Sequence, residues 1–223
     1  ANKLMKGFIG SANIDTNSRL CMSSAVVGYK RAFGADVVPG NYQDIERSDM
    51  VVLVGSNAAW THPVLYQRLA AAKAQRPEMK VVVIDPRRTA TCDIADLHLA
   101  LAPGSDAGLF VGLLDVIQGT DAWPVSRVAA FCGLTPQEIA TFYDWFMTAP
   151  RVITLYTMGI NQSSSGSDKC SAIINVHLAS GKFNRPGCGP FSLTGQPNAM
   201  GGREVGGLAN QLAAHMNFEP DDL

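Results

Sequence analysis

No apolar run in these 223 residues approaches the roughly 20 that a bilayer-spanning helix needs. The chain also opens without the charged, apolar and small-residue succession of a secretion signal. Charge is scarce and balanced: 17% of residues are charged, with 18 basic against 19 acidic side chains. That leaves no broad basic face for neutralising phosphate backbones. A soluble chain is expected, with neither nucleic acid nor membrane among its partners. Cysteine is sparse, five in all (Cys21, Cys92, Cys132, Cys170 and Cys188), widely separated and without a Cys-x-x-Cys pair. A disulfide lattice and a structural zinc site are both excluded by that pattern. What remains is the composition of a globular protein, 47% hydrophobic, long enough for one large domain or two small ones. Ala1 to Phe8 reads as the tail of an amphipathic helix with no capping residue before it, so an internal piece of a longer protein is expected.

Strand and helix signals alternate along the chain. Ser23 to Phe33 predicts a helix stopped by Gly34. Met50 to Val54 is an apolar run that ends in Gly55-Ser56-Asn57, a buried strand feeding a polar loop. Pro63 opens a helix that stops at Pro77, and Lys80 to Ile84 is a second buried strand running into Asp85-Pro86-Arg87-Arg88-Thr89. Strand, helix, strand in this order demands a crossover and a parallel sheet. Leu97 to Leu101 is a third strand candidate, with Gly104-Ser105-Asp106 in its exit loop and a helix from Ala107 to Ile117. Thr135-Pro136-Gln137-Glu138 is a capping box with proline at the first helical position, starting a helix to about Thr148. Val152 to Tyr156 is a fourth strand, leading through Met158-Gly159-Ile160-Asn161-Gln162 to a helix over 167–179. Residues 186–207, dense in glycine and proline, read as a long structured loop over a ligand. The fold class is α/β, with open, mainly parallel sheets, flanking helices and Rossmann-like layers.

In such a sheet ligands bind outside the carboxyl ends of the strands, so the three polar loops should share one rim. No Gly-x-Gly-x-x-Gly follows any strand and no Walker loop is present. A nucleotide would therefore rest on other groups. Gly55, Ser56 and Asn57 offer close backbone approach with hydroxyl and amide donors, as a pyrophosphate requires. Asp85 suits ribose hydroxyls, Arg87 and Arg88 suit phosphate, and Asp106 suits the N1–H and amino group of guanine. The bland alternative is that these polar loops only cap helices. Cys21 lies at a helix start, where the helix N-terminus favours the thiolate that ligates a soft metal. Its alternative, shared with the other four cysteines, is a buried small hydrophobe.

Six ordered blocks carry a resemblance. They are Asn-Ser-Arg-Leu-Cys-Met-Ser-Ser-Ala-Val, Val-Gly-Ser-Asn-Ala-Ala, Ile-Asp-Pro-Arg-Arg-Thr, Gly-Ser-Asp, Met-Gly-Ile-Asn-Gln and Gly-Gln-Pro-Asn-Ala-Met-Gly-Gly-Arg-Glu-Val-Gly-Gly. Running through nearly the whole chain, they resemble the molybdopterin oxidoreductase family, and within it the nitrate-reducing members, assimilatory before periplasmic.

The resemblance implies molybdenum held by bis(molybdopterin guanine dinucleotide), with the Cys21 thiolate as the protein's ligand to the metal. Asn17 resembles a pterin-contacting position. Gly55, Ser56 and Asn57 match a loop on a guanine-dinucleotide phosphate arm, Asp85 to Thr89 (with Arg87, Arg88 and Thr89) a loop at ribose and phosphates, and Gly104, Ser105 and Asp106 a loop on guanosine. Met158, Gly159 and Gln162 match a second cofactor-facing turn. Met22, Gln196 and Arg203 resemble residues lining a substrate funnel, with Arg203 the cation for an anionic substrate and Gln196 more suited to hydrogen-bonding the cofactor. The implied activity is two-electron, two-proton reduction of nitrate to nitrite, in the cytoplasm for the assimilatory branch and in the periplasm for the other.

Formate dehydrogenases of the family resemble this chain around the metal ligand but carry histidine next to it. Methionine stands here at position 22 and cannot move a proton, which favours oxygen-atom transfer. A non-redox nucleotide-binding module is the alternative of another class. Family members also carry an N-terminal 4Fe-4S domain with four cysteines and a C-terminal β-rich domain, and neither pattern occurs here. The cluster, and an electron donor such as ferredoxin, flavodoxin or an NADH-dependent subunit, are implied for the full-length protein, and this chain alone is expected to be inactive. The organisation expected is a cofactor-binding α/β domain over 1–150 and a second, incomplete segment over 151–223, with a shortened stretch near 118–126. His62 before Pro63 reads as a loop or cofactor-edge residue, and His98, His177 and His215 as core or surface residues.

Overall fold

A computed structural model describes residues 1–16, 21–194 and 220. Five strands, β1 (Met50–Val54), β2 (Lys80–Ile84), β3 (Leu97–Leu99), β4 (Val152–Tyr156) and β5 (Gly189–Ser192), form one sheet in the order β3-β2-β1-β4-β5, every pair parallel. All residues of β1 and β4 are buried. That is why they read as unbroken apolar runs: parallel strands covered on both faces have no solvent side to mark with polar residues.

Alternate residues serve two cores. Val52, Val54, Val82, Ile84, Val152 and Tyr156 face helices α1 (Ser23–Phe33), α5 (Asp106–Gln118), α6 (Val125–Cys132), α7 (Pro136–Thr148) and α9 (Gly166–Ala179). Val51, Leu53, Val81, Val83, Ile153 and Leu155 face α2 (Gln43–Arg47), α3 (Ala58–Thr61) and α4 (Pro63–Gln75). The last helix before the site, α8 (Met158–Asn161), is a single turn after β4. The capping box at Thr135 and Glu138 forms as the sequence dictates. Gly28 is required where α1 crosses α9, because a Cβ there would stand 2.8 Å from Cys170 Cβ.

Two expectations change. β3 stops at Leu99 rather than Leu101, although Leu101 stays in the core. Residues 189–192, expected as loop, form the edge strand β5. Pro190 disguised it, since proline is tolerated in a sheet at its edge, where no partner needs the missing N–H. Strand β4 lies directly against β1, so residues before and after position 150 share one sheet.

Candidate functional site

The strands end level with one another. Val54 is in register with Ile84 and with Tyr156, Ile84 with Leu99, and Tyr156 with Ser192. Every exit loop therefore leaves from the same edge. With β1 paired to β2 on one side and β4 on the other, the strand order reverses between β1 and β4. At such a switch point adjacent loops diverge to opposite faces and leave a crevice. Gly55-Ser56-Asn57 and Met158 to Gln162 are the two loops that flank it.

These loops touch through their backbones. Gly159 N–H donates to the Gly55 carbonyl at 3.1 Å. Gly55 has φ +54°, and a Cβ on it would lie 2.8 Å from Gly159 Cα; a Cβ on Gly159 would lie 2.6 Å from Gly55 Cα. Only two glycines permit this approach. Beside them, Ser56 Oγ, Asn161 Nδ2 and Ser192 Oγ are buried and have no hydrogen-bond partner among the described residues. Buried polar atoms are rarely left so, and these three belong to the exits of β1, β4 and β5. Unmatched hydroxyl and amide groups beside a closely approached backbone fit a ligand rich in phosphate and hydroxyl oxygens, such as a pterin nucleotide.

The β2 exit is preordered by its own side chains. Asp85 is buried, and its Oδ1 accepts from Arg87 N–H at 2.8 Å and lies 3.5 Å from Arg87 Nε. His98 contacts the Asp85 carbonyl at 2.9 Å. The Arg87 side chain is 73% exposed and Arg88 is exposed too, so both guanidinium groups are available to an anion at the surface. Thr89 caps the 3₁₀ turn Ala90–Ile94 by accepting from Thr91 N–H. At the β3 exit Gly104 has φ +93° with open space around it. Ser105 Oγ donates to the Ala102 carbonyl, and Asp106 Oδ2 accepts from Lys169 Nζ at 2.6 Å inside the protein. The Asp106 carboxylate proposed for guanine thus already carries a buried cation. Lys169 had no signal in the sequence, since it lies 63 residues from its partner.

Cys21 is half-buried, whereas Cys92, Cys132, Cys170 and Cys188 are buried. Burial pushes the Cys132 thiol up, and the Cys170 thiol up to about 12, so neither is a thiolate donor. Among the described residues no three His, Cys, Asp or Glu side chains gather as a metal cage. The start of α1, which follows Cys21, is tied to the crevice: Ser24 Oγ donates to the Asn161 carbonyl at 2.7 Å. Met22 is 1% exposed and belongs to the core at the start of α1. Met158 is half-buried, while Gly159 and Gln162 are exposed at the rim. His62 contacts the Thr194 carbonyl at 2.9 Å and the Thr61 hydroxyl, as suits a loop residue. Asn17, Gln196, Arg203 and His215 lie outside the described residues.

The sequence matches known proteins across nearly its whole length. The molybdopterin oxidoreductase family model matches residues 1–221. A nitrate reductase of Klebsiella oxytoca is 74% identical over all of this chain, which corresponds to 28% of that protein. A periplasmic nitrate reductase of Desulfovibrio desulfuricans is 37% identical over 95% of this chain and 32% of its own length. An assimilatory nitrate reductase of Haloferax mediterranei is 37% identical over 99% of this chain and 33% of its own. The chain thus spans about a third or less of the length of these relatives. Acetylene hydratase from Pelobacter acetylenicus has the same fold, with TM-score 0.66 at 21% identity over 81% of this chain and 27% of that one. With a parallel sheet whose switch-point loops carry the family's blocks, and a family match from end to end, the chain belongs to the molybdopterin oxidoreductase family.

Proposed function

We propose that the protein containing this chain reduces nitrate to nitrite with bis(molybdopterin guanine dinucleotide)-bound molybdenum, and that these residues form its cofactor-binding centre. The single observation that carries this reading is the 74% identity, across every residue of the chain, to a nitrate reductase. When bound, the cofactor supplies a two-electron centre that removes one oxygen from nitrate, which leaves as water after taking two protons.

The protein's part is to hold and orient. Gly55, Ser56 and Asn57 bind a phosphate arm through backbone, hydroxyl and amide donors, and Gly159 lets the Met158–Gln162 turn close against them. Asp85 faces ribose, with Arg87, Arg88 and Thr89 on phosphate. Gly104, Ser105 and Asp106 meet guanosine, with Lys169 holding the Asp106 carboxylate in place. Cys21 gives the one protein sulfur, a soft donor suited to molybdenum in a sulfur-rich shell. Asn17 contacts the pterin, Gln196 hydrogen-bonds the cofactor and Arg203 binds the nitrate anion. Met22, next to Cys21 in the chain, lines the substrate funnel and accepts no proton, which favours oxygen-atom transfer. Electrons arrive through a 4Fe-4S cluster elsewhere in the polypeptide, from ferredoxin, flavodoxin or an NADH-dependent partner, in the cytoplasm. No helix of the described residues is long and apolar enough to cross a membrane.

The test is turnover by the full-length protein supplied with electrons from a reduced dye for nitrate, and with an oxidised dye for formate. Nitrate reduction without formate oxidation is the expected result. Formate-only turnover moves the protein to another branch of the family, and catalytic inactivity with both, in a protein lacking molybdenum, leaves a nucleotide-binding module.

A further inference from the structure

Thr91 lies in the 3₁₀ turn that follows the β2 exit loop and is wholly buried. Its hydroxyl donates to Asn57 Oδ1 at 3.1 Å and accepts from Ala59 N–H at 3.1 Å. Thr89, the last residue of Asp-Pro-Arg-Arg-Thr, accepts from Thr91 N–H in turn. A side-chain chain thus runs from the β2 loop through Thr91 to the β1 loop, which the sequence separates by 34 positions.

We infer that Thr91 is a positioning residue that fixes the amide of Asn57 with its Nδ2 group turned to the phosphate arm, an inference that rests on the cofactor reading of the β1 loop. A threonine hydroxyl has one proton. In the observed orientation that proton meets Asn57 Oδ1. Rotating the amide by half a turn would set Nδ2 against Thr91 and leave the only proton of a buried hydroxyl without an acceptor, which the interior penalises. The backbone carbonyl of Asn57 is occupied by Trp60 N–H, Thr61 N–H and Thr61 Oγ1. Asn57 Nδ2 makes no hydrogen bond with any described residue. The amide N–H groups are therefore what Asn57 has to offer an anion, and Thr91 keeps them facing outward. Because Thr89 holds Thr91 in place, the ribose and phosphate loops are set in register with each other before any cofactor arrives.

The experiment uses the full-length protein purified with its cofactor. It measures molybdenum and acid-released guanosine monophosphate per polypeptide, and their loss over time after dilution, in Thr91→Val, Thr91→Ala, Thr91→Ser, Asn57→Ala and the Asn57→Ala/Thr91→Val double variant. Thermal melting of each variant identifies the folded ones. Thr91→Val and Thr91→Ala are expected to lose cofactor faster by on the order of tenfold, the size usual when a group that orients a ligand is removed. Thr91→Ser keeps the hydroxyl and should hold cofactor as the parent does. The double variant should be no worse than Asn57→Ala, because Thr91 acts through Asn57. Additive losses in the double variant, or a serine variant as poor as valine, overturn the inference, and if neither valine nor alanine folds, a folded serine variant that loses cofactor on the order of tenfold faster than the parent overturns it. Loss in Asn57→Ala with full retention in Thr91→Val overturns the role of Thr91 alone. Full retention in Asn57→Ala removes the β1-loop reading and the inference with it.

Discussion

The two ends of the sheet treat polar groups in opposite ways. At the amino end they are matched within the protein. Asp49, ahead of β1, takes two hydrogen bonds from Arg151, whose guanidinium holds its carboxyl below the usual carboxylate range. Asp44 accepts from Asn41 and Gly187 N–H, Ser48 Oγ reaches the Asp44 and Gly187 carbonyls, and Lys182 Nζ caps the end of α7 at Met147 and Ala149. At the carboxyl end Ser56 Oγ, Asn161 Nδ2 and Ser192 Oγ are buried with no partner among the described residues. One end is finished as a folding unit, and the other is finished only with a ligand. The difference separates residues kept for stability from residues kept for binding.

Lys169 breaks the comparison most severely if altered, since it is a buried, matched charge at the end where three polar atoms are left without partners among the described residues. Lys169→Met leaves the Asp106 carboxylate buried without its partner and is expected to cost about 3–5 kcal/mol, read as a shift in the denaturation midpoint. Lys169→Met with Asp106→Asn should recover part of that loss.

His177 tests the finished side. Its ring contacts the Lys182 carbonyl at 2.9 Å and Thr154 Oγ1 at 2.8 Å, wholly buried. Burial lowers its pKa to about 4 from the ordinary 6.5. The folded state thus prefers the neutral ring, so its contribution is complete above pH 6.5 and disappears as pH falls towards 4. Unfolding free energy should drop by about 3 kcal/mol across that window, and His177→Gln should flatten that part of the profile.

The smallest effect makes the sharpest contrast. Ser48→Ala strips a buried hydroxyl from two carbonyls and should cost about 1–3 kcal/mol. Ser56→Ala removes a hydroxyl with no partner, so the cofactor-free protein should change by no more than about 0.5 kcal/mol, while cofactor retention falls. Equal stability losses at the two serines would erase the distinction between the ends.

Much of the scaffold was legible because local chemistry and fold agree. Met50–Val54 and Val152–Tyr156 are apolar throughout, and their strands are buried on both faces. The rim loops were visible as polar clusters at the ends of those runs, and the parallel register brings them to one edge. Strand β5 was not legible, since Gly189-Pro190 imitates a turn and only the neighbouring β4 makes it a strand. Thr91, Lys169, Asn161 and Ser192 were missed for a related reason. Each acquires meaning from what the tertiary fold sets beside it or leaves unmatched, which composition and spacing do not record.

The central claim, that Cys21 is the protein's sulfur on molybdenum at the crevice between β1 and β4, is tested most directly by X-ray absorption at the molybdenum edge of the full-length protein and its Cys21→Ser variant. The account predicts that the variant keeps its cofactor, loses one sulfur neighbour of the metal in exchange for oxygen, and no longer reduces nitrate. An unchanged sulfur shell in the variant would contradict it.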